Sequence, residues 1–352
     1  VLDMAIRRSE PQIRAKSIGA VVGMAPYRLR RALAYIGVVL LLAALACSSG
    51  SSNILFTSDR DGNLEIYSVD IRGEGETNLT NSQVDEFAPR LSPNRRFVSF
   101  LTGDEDATAL EVMRIDGTER AAMTQMGAAR SSQRWSPNND RIAFAESRAT
   151  STSIYVATIA GATVALLTSV AGDEVGDWSR DGDNIAFAVR EGPEQGIYRR
   201  NPDGVNEFRV TNNPDYSPVW SPDSSKLAFL SERDGNPELY VMDADASNVK
   251  RLTETDAPEY DISWSPNGQS ILFVSERDDN PEIYVTAKDG TRQERLTFNT
   301  TVDNQPVWSP TGKQIAFVSY LDGDADIFVM NADGNNQERV TNNDFEDTQP
   351  TW

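Results

Sequence analysis

Histidine is absent from the 352-residue chain, and cysteine occurs only once, at Cys47. Without histidine, the chain cannot build the catalytic triads and zinc sites that depend on imidazole, and one cysteine cannot form an intramolecular disulfide. Basic side chains are also scarce, because 33 Lys and Arg stand against 53 Asp and Glu, a formal net charge of −20. Such a chain would repel nucleic-acid phosphates, so a cationic or metal partner fits better than a nucleic acid.

Long apolar runs are confined to the N-terminal region. Three arginines, the last of them Arg31, precede an apolar segment from Ala32 to Ala46. A basic stretch, a short apolar stretch and small residues at a cleavage site predict a secretion signal over residues 1–46. The alternative is a retained spanning helix, which needs roughly 20 apolar residues. Because Met24 would start a signal of ordinary length, residues 1–23 are interpreted as an over-extended translation start.

The only cysteine lies at the predicted cleavage site. The string Ala44-Leu45-Ala46-Cys47 resembles the lipobox of bacterial lipoproteins, so we expect lipidation of Cys47, with residues 47–53 as the linker that follows. This predicts a lipid-anchored protein of the cell envelope, outside the cytoplasmic membrane, either periplasmic or on the cell surface. The alternative is an unmodified cysteine that follows an ordinary signal peptide.

The rest of the chain is an internal repeat with three fixed positions. Each unit has a phenylalanine and a threonine 24 residues after it, and every phenylalanine after the first lies nine residues after a Trp-Ser-Pro-like anchor. The anchors begin at Leu91, Trp135, Trp178, Trp220, Trp264 and Trp308, and the chain ends on Trp352. The phenylalanines are Phe56, Phe100, Phe144, Phe187, Phe229, Phe273 and Phe317, and the threonines are Thr80, Thr124, Thr168, Thr211, Thr253, Thr297 and Thr341. A fixed internal frame with a variable connection predicts that each unit packs as one body.

Each unit reads as four short β-strands separated by Asp-Gly and Asn-Pro turn signals. Four strands in roughly 43 residues is the period of a β-propeller blade, so residues 54–352 are predicted to form an all-β propeller. Seven sets of fixed positions predict seven blades, with six as the alternative count and an open row of sheets as the alternative architecture. The first unit lacks its anchor strand, so the strand around Gln349–Trp352 is predicted to complete it and close the ring.

The strings SPVWSPDSSKLAFLSERDGNPE and SERDGNPELYVMDADASNVKRLT, with their sister copies, resemble the WD40-like repeats of TolB-type propellers across essentially all of residues 54–352. The name-giving TolB protein is a periplasmic component of an envelope-spanning system whose propeller binds a peptidoglycan-associated lipoprotein. The resemblance implies a propeller that binds a partner. Similar repeats form the gating propeller of prolyl-oligopeptidase-type peptidases.

One column of the repeat is acidic. The residues five places before the anchors are acids in six of seven units: Glu86, Asp173, Asp215, Glu259, Asp303 and Asp347, with Arg130 as the exception. In a propeller this column lies near the mouth of the central channel. We expect these acids to form a carboxylate ring that binds Ca²⁺ or a basic peptide segment, with no cofactor certain and the identity of any metal unknown. The alternative is that each acid caps a turn or pairs with a hairpin arginine of its own blade.

Two other acidic patterns favour a structural role. A repeated Ser-x-Arg-Asp hairpin, as at Arg233 and Asp234, is interpreted as a turn with an arginine to glutamate pair. Asp322, Asp324 and Asp326 resemble the start of a calcium loop but lack its glycine and distal glutamate, which favours a turn.

Two classes of function fit these observations. The first is a non-catalytic, monomeric platform that binds an envelope protein or a cell-wall or glycan ligand. The second is a metal-assisted carbohydrate-active enzyme, a lyase or glycosidase that uses carboxylates. The repeated placement of the acids favours the first, because a catalytic residue is normally a singular departure from its repeat.

Overall fold

The computed structural model describes residues 53–104, 106–148, 151–161, 163–168 and 173–352. These residues form seven four-stranded antiparallel sheets. The predicted all-β, seven-bladed propeller is therefore confirmed, and the six-blade alternative does not hold. The predicted signal region and Cys47 lie outside the described residues. The described residues contain no helix long and apolar enough to cross a membrane.

The strands follow one another along the chain with the same order in every blade. The strands of the first three units are β1 (Ile54–Ser58), β2 (Glu65–Val69), β3 (Thr77–Asn78), β4 (Glu86–Leu91), β5 (Phe97–Gly103), β6 (Thr108–Arg114), β7 (Ala121–Ala122), β8 (Ala129–Trp135), β9 (Arg141–Arg148), β10 (Ser151–Thr158) and β11 (Thr163–Thr168). The remaining strands are β12 (Asp173–Trp178), β13 (Ile185–Val189), β14 (Gly196–Arg200), β15 (Phe208–Arg209), β16 (Asp215–Trp220), β17 (Lys226–Ser231), β18 (Glu238–Asp243), β19 (Lys250–Arg251), β20 (Glu259–Trp264), β21 (Ser270–Ser275), β22 (Glu282–Ala287), β23 (Glu294–Arg295), β24 (Asp303–Trp308), β25 (Gln314–Ser319), β26 (Asp326–Asn331), β27 (Glu338–Arg339) and β28 (Asp347–Thr351).

The ring is closed by the last strand of the chain. Blade 1 has the order β28-β1-β2-β3, so its inner strand comes from the C-terminal end, while blades 2 to 7 each use four consecutive strands from β4 onward. Strand β28 pairs antiparallel with β1, with Asp347 opposite Ser58 and Thr351 opposite Leu55. The predicted closure is confirmed. Pairing the two ends removes a sheet edge that an open array would leave exposed.

The three fixed positions of the repeat have three structural tasks. The seven phenylalanines are fully buried, and six pack against an aromatic residue of the neighbouring strand with ring centroids 5.4 to 5.8 Å apart, four of them stacked and two tilted. Six of the threonines accept a backbone N–H of the third strand of their blade, as when Thr253 Oγ1 accepts from Leu239 at 2.8 Å. The indole N–H groups of three tryptophans donate to carbonyls of the preceding blade, as from Trp135 to Arg90 at 3.0 Å. The motif therefore encodes both blade cores and the joints between blades.

The inner strands all contain a β-bulge. Their pairing with the second strand of each blade shifts register once, and in six blades a non-glycine residue near the shift has a positive φ of 48 to 56°. These residues are Ala88, Ser132, Ser217, Asp261, Gln305 and Gln349. A bulge turns a strand locally and re-aims its side chains. The repeated bulge therefore determines which side chains face the central channel.

Candidate binding site at the channel

Each of the six acids of the column is the first residue of an inner strand, and Arg130 is the second residue of β8. Because the strands are antiparallel, this end of the inner strand shares one face of the propeller with the joints between blades and with the hairpins between the second and third strands. We call this face the connecting face. Five column acids are almost completely buried: Glu86, Asp215, Glu259, Asp303 and Asp347. Asp173 begins β12, and its side chain is outside the described part of the structure.

Three of these acids bind the arginine of their own Ser-x-Arg-Asp hairpin. Arg233 Nη2 donates to both carboxylate oxygens of Asp215 at 2.7 and 2.8 Å. Arg60 does the same to Asp347 at 2.9 and 3.0 Å, and Arg277 Nη2 donates to Glu259 Oε1 at 2.9 Å. These charge-assisted bonds are the strong kind of hydrogen bond, so each carboxylate has its countercharge inside the fold.

The rest of the hairpin supports the arginine. The Arg233 guanidinium lies 4.7 Å from the ring centroid of Tyr240, and its Nε donates to Ser231 at 2.9 Å. The Tyr240 hydroxyl donates to Asp234, the final residue of the motif. Blades 1 and 6 repeat this arrangement. The sequence predicted an arginine to glutamate pair across a hairpin, whereas the structure directs the arginine to the inner strand.

Two blades use other arrangements. Glu86 of blade 2 is bound by Arg120 at 2.8 Å instead of by a hairpin arginine. In blade 3 the charges are exchanged: Arg130 occupies the acid position and pairs at 2.6 Å with Glu146, its register partner on β9. The departure at Arg130 therefore conserves an ion pair rather than supplying a free cation.

Asp303 is the exception in blade 7. Its hairpin has Leu321 where the Ser-x-Arg-Asp hairpins of blades 1, 5 and 6 have arginine, and no ion pair in the described part of the chain includes Asp303. Its Oδ2 accepts from Asn299 Nδ2 at 2.6 Å, while Oδ1 has no hydrogen-bond partner among the described residues. Burial and the nearby Glu282 raise the pKa of Asp303 to about 6.

A second set of buried acids begins the third strands and lies against the column of the following blade. Arg251 holds Glu238 at 2.8 Å and Arg295 holds Glu282 at 2.8 Å. Burial and the neighbouring Glu238 together raise the pKa of Glu259 to about 7. In blade 7, Arg339 binds Asp322 and Asp326, so these two acids of the calcium-like sequence are occupied by an arginine.

Among the described residues, no group of three or more Asp, Glu or Cys side chains has an arrangement that could hold a metal ion. The predicted binding of Ca²⁺ or a basic segment by Glu86, Asp173, Asp215, Glu259, Asp303 and Asp347 stays a prediction. Its strongest member is Asp303, because the four other acids with described side chains already face an arginine.

The central channel runs along the inner strands of all seven blades and has a volume of about 480 Å³. Its wall contains four charged residues, Arg90, Arg134, Glu174 and Asp261. Asp177 of β12 does not line the cavity, but it is near enough to Arg134 to be affected by its charge. Asp261 is accessible to water in the channel, yet the surrounding protein raises its pKa. Burial also raises the pKa of Asp177, to about 6.

Part of the channel wall is a chain of side chain to backbone hydrogen bonds between blades. Asp261 Oδ2 accepts the backbone N–H of Gln305 at 3.2 Å, Gln305 Oε1 accepts that of Gln349 at 2.7 Å, and Gln349 Oε1 accepts that of Ala88 at 2.6 Å. The side chain of each of these three bulge residues thus accepts the backbone N–H of the bulge residue in the following blade. The series stops at Ala88, which has no side-chain acceptor, and the two arginines lie just beyond this point.

The charged residues in and beside the channel were not among those predicted from the sequence. Arg90, Arg134 and Asp177 are each four places after an acidic-column position, so they form a column of their own. The signal was present as charged residues in three blades at a place where the other blades have Val, Ser or Thr.

The family model of the TolB beta propeller domain matches residues 69–217 and 212–352 of this chain. A curated relative, a protein TolB homolog of Chlorobium luteolum, is 30% identical over 194 residues, which cover 54% of this chain and 34% of the relative. A Tol-Pal system protein TolB of Syntrophus aciditrophicus is 40% identical over 74 residues, or 19% of this chain and 16% of the relative. The chain spans about a third or less of the length of these relatives.

Solved structures show the same architecture at low identity. TolB from Acinetobacter baumannii has a TM-score of 0.58 at 18% identity, with 95% of this chain and 74% of that chain covered. An oligogalacturonate lyase in complex with manganese has a TM-score of 0.66 at 17% identity, with 80% of this chain and 86% of that chain covered. At these identities the similarity shows the propeller fold alone.

Proposed function

The chain belongs to the family of TolB beta propeller domains, and we propose that it is a non-catalytic, envelope-associated propeller that binds a protein partner on its connecting face. The observation that carries the proposal is a set of exposed apolar side chains on that face. Four lie in successive joints between blades and one in a hairpin of blade 7: Phe298, Leu321, Phe345, Val84 and Met126.

These five side chains follow one another around the ring from the joint between blades 6 and 7 to the joint between blades 2 and 3. Phe298 is 72% exposed and Phe345 is 43% exposed. Isolated exposed apolar residues are ordinary, but large aromatic side chains grouped on one face are typical of binding surfaces. We call this set the apolar arc.

The chemistry around the apolar arc indicates the kind of partner. Asp344 and Glu346 are exposed beside Phe345, and Asp322 is exposed beside Leu321. With a net charge of −25 over residues 47–352, long-range attraction favours a partner surface with apolar residues among lysines and arginines. The alternative is the metal-assisted carbohydrate-active enzyme.

A matched set of phenylalanine variants tests the proposal. Phe298→Ser and Phe345→Ser are expected to weaken binding of an envelope protein captured by the propeller by tenfold or more each, since an aromatic anchor contributes about 2 kcal/mol. Phe208→Ser is the control, because Phe208 is 53% exposed but lies on the outer strand β15. Affinities measured by surface plasmon resonance decide the matter.

Two outcomes contradict this proposal. Equal affinities for all three variants would remove the apolar arc from the interface. Cleavage of a polysaccharide by the purified protein in the presence of Ca²⁺ or Mn²⁺ would favour the enzyme.

Location gives a separate prediction. We propose that the signal region is cleaved off before Cys47 and that Cys47 is lipidated. The lipid would hold the propeller at a membrane surface outside the cytoplasm. Cys47→Ser is expected to move the protein from the membrane fraction to the soluble fraction, as judged by fractionation and immunoblotting. A variant that stays in the membrane and keeps its full length would instead indicate that the segment from Ile36 to Ala46 is a retained anchor.

A further inference from the structure

Two arginines of the central channel lack a carboxylate partner. Arg90 lies in β4 and Arg134 in β8, the inner strands of the adjacent blades 2 and 3. In the part of the chain that the structure describes, no ion pair within 4.0 Å includes either guanidinium. Arg134 Nη1 donates to the Gln133 carbonyl at 3.1 Å, and the Arg90 guanidinium makes no hydrogen bond to the described residues.

This arrangement differs from the arginines of the connecting face. Arg60, Arg233 and Arg277 each bind a buried acid of the column. The two channel arginines instead repel each other, and burial together with the charge of Arg134 lowers the pKa of Arg90 to about 10. Two like charges placed close together in a protein interior are unfavourable unless an anion is present. The fold therefore holds a pair of cations whose countercharge is not in the pair's own blades.

The acids in and beside the channel make their hydrogen bonds and ion pairs with groups other than these two arginines. Glu174 accepts from Ser217 Oγ at 2.8 Å and pairs with Arg190 at 3.3 Å. Asp261 accepts the backbone N–H of Gln305, and Asp177 accepts that of Trp178 at 2.8 Å. These acids influence the arginines over a longer distance without binding them directly. They also keep the charge of the whole channel close to neutral, which disfavours a ligand with many negative charges.

We propose that Arg90 and Arg134 form a binding site for a small organic carboxylate inside the propeller channel. Planar guanidinium groups match the two oxygens of a carboxylate, and two of them can hold one carboxylate from adjacent blades. The site does not depend on the apolar arc of the connecting face.

The wall next to the arginines supplies further donors. The Gln305 and Gln349 side chains use their Oε1 atoms to accept backbone N–H groups, and their Nε2 groups have no partner within the described residues. These amide N–H groups can donate to a second oxygen of the ligand. A channel volume of about 480 Å³ lies within the usual range of small-molecule sites, roughly 300 to 1,000 Å³.

Calorimetric titration of the full chain with malonate tests the site, with malonamide as the uncharged probe of the same size. Malonate is expected to bind with one-to-one stoichiometry and to raise the melting temperature, and malonamide to do neither. Arg90→Gln and Arg134→Gln are each expected to weaken malonate binding at least tenfold. Arg96→Gln is the control, because it removes the same charge from the exposed turn after β4, on the face of the propeller opposite the connecting face.

A second carboxylate probe and a third arginine variant extend the test. Alanylalanine, with its C-terminal amide as the control, tests whether the carboxylate of a chain terminus binds as well as that of malonate. Binding of either carboxylate supports the site. If the glutamine variants fail to fold, Arg90→Lys keeps the charge but removes the planar fork, and it is expected to weaken malonate binding.

The proposal is overturned if the parent protein binds neither carboxylate. It is also overturned if phosphate binds more tightly than malonate and alanylalanine, or if Arg90→Gln and Arg134→Gln bind malonate as the Arg96→Gln control does.

Discussion

Removal of residues 347–352 is expected to abolish cooperative folding of the propeller. Strand β28 is the inner strand of blade 1, so its loss unpairs β1 and leaves Arg60 without the bidentate partner Asp347. Breaking one buried ion pair by removing a partner costs about 3 to 5 kcal/mol. The lost strand pairing and the packing of Trp352 against the core of blades 1 and 7 add to this. The sum is comparable with the entire stability of a domain, about 5 to 15 kcal/mol.

Thermal unfolding followed by circular dichroism measures this effect, and a peptide added in trans sharpens it. A peptide of residues 343–352 is expected to restore a cooperative transition, because it brings back β28, including Asp347, which accepts from Asn343 at 2.8 Å in the full chain. The same peptide with Asp347→Asn is expected to restore less stability. An unchanged melting temperature after the truncation would show that the ring does not depend on this closure.

The repeat predicted the fold well because its fixed positions perform local and recurring tasks. A buried Phe273 stacked on Tyr284, and the Thr297 hydroxyl that accepts from Ile283 at 3.0 Å, require only the strands of one blade. Such contacts recur at the same spacing, so a period in the sequence is sufficient to find them. The closure followed from counting, since one unit lacked an inner strand and the other end of the chain supplied it.

The channel was harder to predict because the bulges interrupt the alternation of the inner strands. A simple period of two assigns each residue to one side of a sheet, whereas a positive φ at Ala88 or Gln305 changes which of the following side chains face the channel. Arg90 and Arg134 therefore looked like ordinary strand residues. Their role becomes visible only when seven blades place their inner strands around one axis.

For the acidic column, the contacts of the side chains could not be predicted. The structure places these acids on the inner strands, and the sequence alone did not decide whether they meet one another or an arginine. In blade 5 the deciding residue is Arg233, 18 positions after Asp215 along the chain. The same spacing gives Leu321 in blade 7, but it also gives Asp104 in blade 2 and Glu191 in blade 4. The spacing alone therefore does not single out Asp303, because Glu86 is bound by Arg120 from another position.

The contrast between Asp215 and Asp303 gives a matched pair of substitutions at equivalent positions. Asp215→Asn removes the charge that faces Arg233 on both carboxylate oxygens and leaves a partly buried guanidinium without a countercharge. We expect a loss of about 2 to 4 kcal/mol in the free energy of unfolding, near the low end for a broken buried pair because Arg233 keeps some contact with water. Urea unfolding of this variant and of Asp303→Asn, both at pH 8, measures the difference.

Asp303→Asn is expected to have the opposite sign. The pKa of Asp303 is about 6 in the folded protein and about 3.9 in an unfolded chain, so the folded state binds the extra proton as the pH falls through 6. Its contribution to stability is therefore greatest at low pH and is lost as the pH rises to 8, where the carboxylate is charged and buried. The neutral asparagine avoids that penalty and still accepts from Asn299, so we expect a gain of about 1 to 3 kcal/mol at pH 8 and almost none at pH 4.

The same two variants decide whether the acidic column binds a cation. A bound Ca²⁺ would make the charge of Asp303 favourable, so calorimetry with Ca²⁺ should then show binding to the parent and to Asp215→Asn but weaker binding to Asp303→Asn. It would also reverse the expected gain, because Asp303→Asn would be less stable than the parent when Ca²⁺ is present. If the parent binds neither Ca²⁺ nor a cationic peptide, and Asp303→Asn is stabilised at pH 8, the column acts through its arginines. Asp303 is then the column acid of a blade whose hairpin has Leu321 in place of the arginine of blades 1, 5 and 6.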